Sequence, residues 1–116
     1  MTPEELTRAV AERCMGWRAV SYDGLGNHWG VCGPGNELRG IPAYATDVAA
    51  AWEVVEWMRA KGYDVNIGCY SRGGRWVVEA LTDTRAFGER GASMPEAVCL
   101  CALAVAEAHP ELGAKP

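Results

Sequence analysis

The chain is short of several things that would point to an easy function. It holds one phenylalanine, two histidines and, among eleven basic residues, only two lysines. No stretch approaches the ~18 consecutive apolar residues of a membrane-crossing helix. Its opening, MTPEELTRAV, is acidic and polar where a secretory leader would be basic and then apolar. The expectation is a cytoplasmic protein with no membrane partner. Neither G-x-G-x-x-G nor G-x-x-x-x-G-K-[ST] occurs, so the glycines of DGLGN (23–27) and GPGNELRG (33–40) read as turns and loops, not as a phosphate cradle. There is no run of one charge. A net charge of −4 opposes general nucleic-acid binding, which depends on neutralising phosphates.

Cysteine is present but lacks a pattern. Cys14, Cys32, Cys69, Cys99 and Cys101 make an odd number with no Cys-x-x-Cys among them. Three fall in apolar periodic segments, where free cysteine behaves as a small hydrophobe. Cys99 and Cys101 would point about 200° apart on a helix. Neither histidine supplies a zinc spacing, so no metal and no cofactor are expected. For catalysis the nearest nucleophile–base pair is Cys32 with His28. Four positions along a strand separate them by about 13 Å, too far for direct activation. No catalytic residue is assigned, and the chain is expected not to be an enzyme.

What is present is a clear alternation of elements. Thr2-Pro3-Glu4-Glu5 writes a capping box with proline at the first helical position, ahead of the stripe Leu6, Val10 and Cys14. Residues 17–22 and 28–32 read as a short strand and its return. A second helix runs from Asp47 to about Lys61, with Thr46 as its N-cap and Gly62 as its stop. YDVNIGCY (63–70) and RWVVEALT (75–82) alternate with period two around SRGG, the strongest hairpin signal in the chain. DTRAFGERGA (83–92) reads as a loop, and Ser93-Met94-Pro95-Glu96 opens a last helix through Ala108. The order is α-β-β-α-β-β-α. It implies an α+β fold of one domain over residues 1–116, a three-layer α/β/α sandwich around an antiparallel four-stranded sheet.

Two surfaces follow from these assignments. On the second helix Val48, Ala51, Trp52, Val55 and Met58 share a face, which places Trp52 at the core edge. Trp57, between Glu53 and Lys61, points away from it. An exposed indole is a frequent contact anchor, so Trp57 is a candidate binding residue. The last helix is apolar nearly all round, so it needs broad cover from two sides of the fold or from a second subunit. A homodimer is the expectation drawn from it. Arg72, Arg75, Arg85 and Arg90 fall within nineteen residues, interleaved with Glu79, Asp83 and Glu89. They read either as a site for a small anionic ligand or as a self-paired solvated surface.

Met15-Gly16-Trp17, then Pro42-Ala43-Tyr44-Ala45-Thr46-Asp47-Val48-Ala49-Ala50-Ala51-Trp52-Glu53-Val54-Val55, then Ala97-Val98-Cys99-Leu100-Cys101-Ala102-Leu103 together resemble the phage ABA-sandwich domain family. The resemblance spans nearly the whole chain. Ala45 departs from the family's usual serine, and Trp57 from a position usually polar. The resemblance implies a phage or prophage origin and a compact sandwich; it implies no activity. From that origin the expected role is a small accessory protein that binds a host protein in the cytoplasm of the infected bacterium, as an inhibitor of a defence system of the anti-CRISPR kind. The alternative is a binder of a nucleotide-derived immune signal, using tryptophans for stacking and the arginines for phosphate. A third reading is a structural phage component.

Overall fold

The computed structural model describes residues 1–25, 27–70 and 73–109. Three helices and six strands follow one another as α1 (Pro3–Arg13), β1 (Arg18–Tyr22), β2 (His28–Val31), β3 (Arg39–Gly40), α2 (Val48–Ala60), β4 (Asp64–Tyr70), β5 (Arg75–Leu81), β6 (Ala86–Gly91) and α3 (Met94–Ala108). The expected four-stranded sheet is therefore corrected. There are two antiparallel three-stranded sheets, ordered β1-β2-β3 and β4-β5-β6.

The strands missing from the sequence reading are β3 and β6. AFGERG carries two glycines and a central Glu-Arg, which mimic a loop. Pairing with β5 overrides that composition, from Leu81↔Ala86 to Trp76↔Gly91 without a break. The Thr82 hydroxyl closes the turn by accepting from the Arg85 amide at 3.0 Å, and Thr82 N–H donates to the Arg85 carbonyl at 2.8 Å. β3 is only two residues long, below what periodicity can register.

Alternation sorts the β4–β6 sheet into two faces. Val65 and Ile67, Trp76, Val78 and Ala80, and Phe87, Glu89 and Gly91 face the helices through their register. The other face presents exposed Asp64, Asn66, Gly68, Arg75, Glu79, Ala86, Gly88 and Arg90, with Val77 and Leu81 half-buried among them. No helix covers that face among the described residues, so the expectation of helices on both sides of the sheet is also corrected. Its polar and glycine composition is the reason.

Helix α3 lies at the centre, against β5, β6, α1 and α2. Ten of its fifteen residues are buried. The cover demanded by its apolar circumference is supplied within the chain, so α3 gives no reason for a dimer. Helix α1 keeps its capping box, with the Thr2 hydroxyl and Glu5 carboxylate exchanging bonds with each other's backbone at 3.2 Å. Asp47, not Thr46, caps α2, accepting from the Ala49 amide at 3.0 Å.

The orientation of α2 reverses one expectation. Ala50, Ala51, Val54, Val55 and Met58 are its buried residues. At about 100° per residue, the centre of that set lies roughly 130° from Trp52 and roughly 90° from Trp57. Trp52 is 49% exposed, while Trp57 is half-buried and packs on the core. The cause is the neighbour. α2 makes its larger contact with α3 and a smaller one with β4, so the helix turns its alanine-rich side to another helix.

Candidate functional site

The predicted binding residues do not assemble. Trp57 is part of the packing around the core. Arg72 lies outside the described residues. Arg75 and Arg90 share the outer face of the β4–β6 sheet, with Glu79 in the same field. Arg85 sits at the opposite end, in the β5–β6 turn, where its guanidinium lies 3.0 Å from Nε2 of His109. That nitrogen is also 2.5 Å from the hydroxyl of buried Tyr63. Among the described residues Arg75, Arg85 and Arg90 form no ion pair with the acids between them.

The cysteines divide by burial. Desolvation pushes the thiols of Cys14, Cys99 and Cys101 up to about 12, where they are neither nucleophiles nor ligands at neutral pH. The Cys99 thiol donates to the Tyr44 carbonyl at 3.3 Å. Exposed Cys32 donates to the Met15 carbonyl at 3.8 Å, whereas buried His28 stacks on the Tyr22 ring, with centroids 4.7 Å apart. The two share no hydrogen bond among the described residues.

Two apolar surfaces emerge instead. The first is the end of the β1–β2 hairpin. Asp23 organises it: one carboxylate oxygen accepts from the Leu25 and Asn27 amides at 2.7 and 3.2 Å, and the other accepts from Asn27 Nδ2 at 3.1 Å and Trp29 Nε1 at 3.5 Å. The Leu25 amide, followed by the Asn27 donors, holds this carboxyl below the usual aspartate range. The network fixes the loop with its apolar side chains outward. Leu25 is 86% exposed at the turn; Trp29, 38% exposed, lies on the Ser21 face of the ladder, and Tyr22, 42% exposed, lies on the opposite face with His28. Trp29 faces Gly40 across the β2–β3 pair. Arg18 braces the adjoining 33–35 loop by donating to the carbonyls of Gly33, at 2.7 Å, and Gly35.

The second surface is a groove between α2 and β4. Val48 and Trp52 on α2, Ile67 and Trp76 on the sheet, and Met94 and Pro95 at the start of α3 line a cavity of about 490 Å³. A neighbouring hollow of about 630 Å³ continues past Trp52 to Arg59, Asp64 and Asn66 at the strand's edge. Sequence reasoning missed both surfaces. One signal was available for the first: leucine between two glycines in DGLGN occupies a position where turn chemistry calls for a polar residue.

The profile of the phage ABA sandwich domain matches residues 8–103. The chain belongs to this family. The crystal structure of a phage protein from Bacillus cereus, determined at 2.0 Å, superimposes on it with a TM-score of 0.73 at 24% identity, covering 92% of this chain and 89% of that one. That likeness establishes a shared α+β fold. No curated protein matches the chain. The family motif also takes on physical sense. Gly16 ends the first helix at φ 79°. Trp17 then donates its indole N–H to the Tyr44 hydroxyl at 3.0 Å, and the Ala45 amide donates to the Thr7 hydroxyl at 3.2 Å. The motif residues bind one another. No helix among the described residues is long and apolar enough to cross a membrane.

Proposed function

We propose that this member of the phage ABA sandwich domain family is a non-enzymatic binding protein that docks a host protein through the β1–β2 hairpin end. It acts in the cytoplasm of the infected bacterium, with a defence protein as its target. The observation that carries this reading is Leu25, 86% exposed beside an Asp23 carboxylate that takes four hydrogen bonds, one of them from the indole of exposed Trp29. Groups already held by hydrogen bonds before binding lose little conformational freedom on docking, which is what an interface anchor needs. The nucleotide-signal alternative has weaker support. It requires arginines converging beside an exposed ring, whereas Arg75 and Arg90 lie on the face opposite Trp76 and Arg85 lies at the far end of the sheet.

The test is affinity capture from a host lysate with the wild-type chain and the Leu25→Asp and Trp29→Ala variants, each first shown to melt like the wild type. A stoichiometric host protein retained by the wild type and lost with Leu25→Asp is the expected result. Equal retention by all three, or no partner at all, refutes the assignment.

A further inference from the structure

Among the described residues the β4–β6 sheet has two unpaired edges, and they are built differently. Edge strands are normally protected against pairing by charge, proline, bulges or inward-pointing ionic residues. Strand β6 follows that rule, with Glu89 on the inner face and Arg90 next to it. Strand β4 does not. Its seven residues, DVNIGCY, contain no proline and no basic residue, and their register with β5 runs from Asp64↔Leu81 to Tyr70↔Arg75 without a bulge. Above the same edge, α2 turns Val48 and Trp52 outward, 53% and 49% exposed. Exposed Arg59, seven residues beyond Trp52, continues the same flank two turns on, so the three make a seam along which helices pack. The hollow shared by Trp52, Arg59, Asp64 and Asn66 puts seam and edge on one side of the molecule.

We infer that this side is the interface of a twofold dimer, in which β4 pairs antiparallel with β4 of a second copy and the two α2 seams meet above the joined sheet. The β4 sequence is complementary to itself about Ile67, its middle residue. In that register Val65 faces position 69, Asn66 faces position 68 and Ile67 faces its own mate, so the inner row is apolar throughout and no like charges oppose. Asp64 falls opposite position 70. Within each chain position 70 pairs with Arg75, so the second copy's aspartate lies two strands from that arginine, about 10 Å between Cα atoms. A guanidinium and a carboxylate reaching toward each other span that gap. Both residues are exposed, and neither forms an ion pair among the described residues. Twofold symmetry makes the contact twice, once at each end. This charge complementarity selects a second copy over a foreign strand. The dimer is independent of the hairpin end proposed for host binding.

The test is sedimentation equilibrium of the wild type, Asp64→Arg, Arg75→Asp and an equimolar mixture of the two variants, at up to about 100 μM chain. The wild type should dimerise, and each variant alone should dissociate at least about tenfold more readily, because it opposes like charges twice. The mixture should re-form a dimer, since each variant then meets its opposite at both ends. Trp52→Ala should weaken self-association, and Leu25→Asp should leave it unchanged. A monomeric wild type overturns the proposal, as does a variant that dimerises as well as wild type or a mixture no more associated than its components. Circular dichroism melts of the single variants, both at exposed positions, show that they are folded.

Discussion

Replacing Gly91 by alanine tests how closely the sheet and the central helix are fitted. Gly91 ends β6 on the inner face, opposite Trp76. A Cβ there would lie 2.7 Å from the Ala97 nitrogen, 3.1 Å from the Ala97 Cα and 3.2 Å from the Glu96 Cβ. Two of these atoms are backbone, so no side chain can swing aside. The first turn of α3 must retreat by roughly half an ångström to restore ordinary contact. That turn is held at both ends. The Ser93 hydroxyl accepts from the Glu96 amide at 3.3 Å, and the Glu96 carboxylate accepts from the Ala92 amide at 3.2 Å. Ala97 behind it is fully buried. Overpacking at such a site costs about 3 kcal/mol, which for a domain of this size lowers Tm by about 12 °C. Gly88→Ala supplies the control three residues earlier on the exposed face. There the added Cβ meets only Glu79 Cγ, at an ordinary 3.8 Å. It should be neutral or stabilising by under about 1 kcal/mol, through the lost freedom of the unfolded chain. Thermal unfolding followed by circular dichroism compares the two. If Gly91→Ala melts with Gly88→Ala, the close fit of α3 against β6 is wrong.

Two further outcomes follow from burial. Under native conditions a maleimide should label Cys32 and Cys69, the exposed cysteines, while Cys14, Cys99 and Cys101 react only on unfolding, as mass spectrometry of timed quenches would show. The same three thiols make stability fall with alkaline pH. Their folded-state values near 12 exceed the ordinary 9.0, so the unfolded chain loses these protons first. Stability is therefore intact below pH 9 and lost toward pH 12, and a flat urea midpoint across that window would contradict the burial. On α2, Trp57→Ala should cost about 2 kcal/mol through lost core packing and Trp52→Ala under about 1 kcal/mol. Both are read from urea unfolding at dilution sufficient to keep the chain monomeric, and the reverse order would restore Trp52 to the core.

The helices were legible because their signals are local. Thr2 and Glu5, Ser93 and Glu96, and Gly62 at the end of α2 each announce a boundary within one turn. The β4–β5 hairpin was legible for the same reason. Strand β6 was hidden because its strand character comes from its partner: six consecutive pairs with β5 hold a segment whose composition favours a loop. The face of α2 was misjudged for a related reason. Periodicity shows that a helix has a buried stripe, but the phase of that stripe depends on what packs against it. Here α3 is the main neighbour, and a shift of the stripe away from Trp52 leaves that indole half in solvent. The candidate surfaces were illegible because they consist of apolar residues left over after the core was filled. Only the completed packing shows which those are.

The distribution of those leftovers bears on where in this fold a binding surface can lie. Several of the residues that mark the family are used inside the molecule, while Val48 and Trp52 of the same motif stand exposed on α2. Gly16 turns the chain, Trp17 and Tyr44 bond each other, and the Tyr44 carbonyl takes the Cys99 thiol from the middle of α3. This set ties the first helix, the entry to the second and the last helix into one unit, and it has no free group left to offer a ligand. Leu25, Trp29 and Leu38 lie instead in the stretch between the Met-Gly-Trp and Pro-x-Tyr segments, on a small sheet that touches the rest of the fold chiefly through α1. Leu25, Trp29 and Leu38 lie outside the α3-centred core, so substitutions at these exposed positions should cost little stability, unlike changes at buried Val20 or His28. The docking proposed for the hairpin end predicts that exchanging the residues at positions 25 and 29 between two family members exchanges their partners while leaving both melting temperatures nearly where they were.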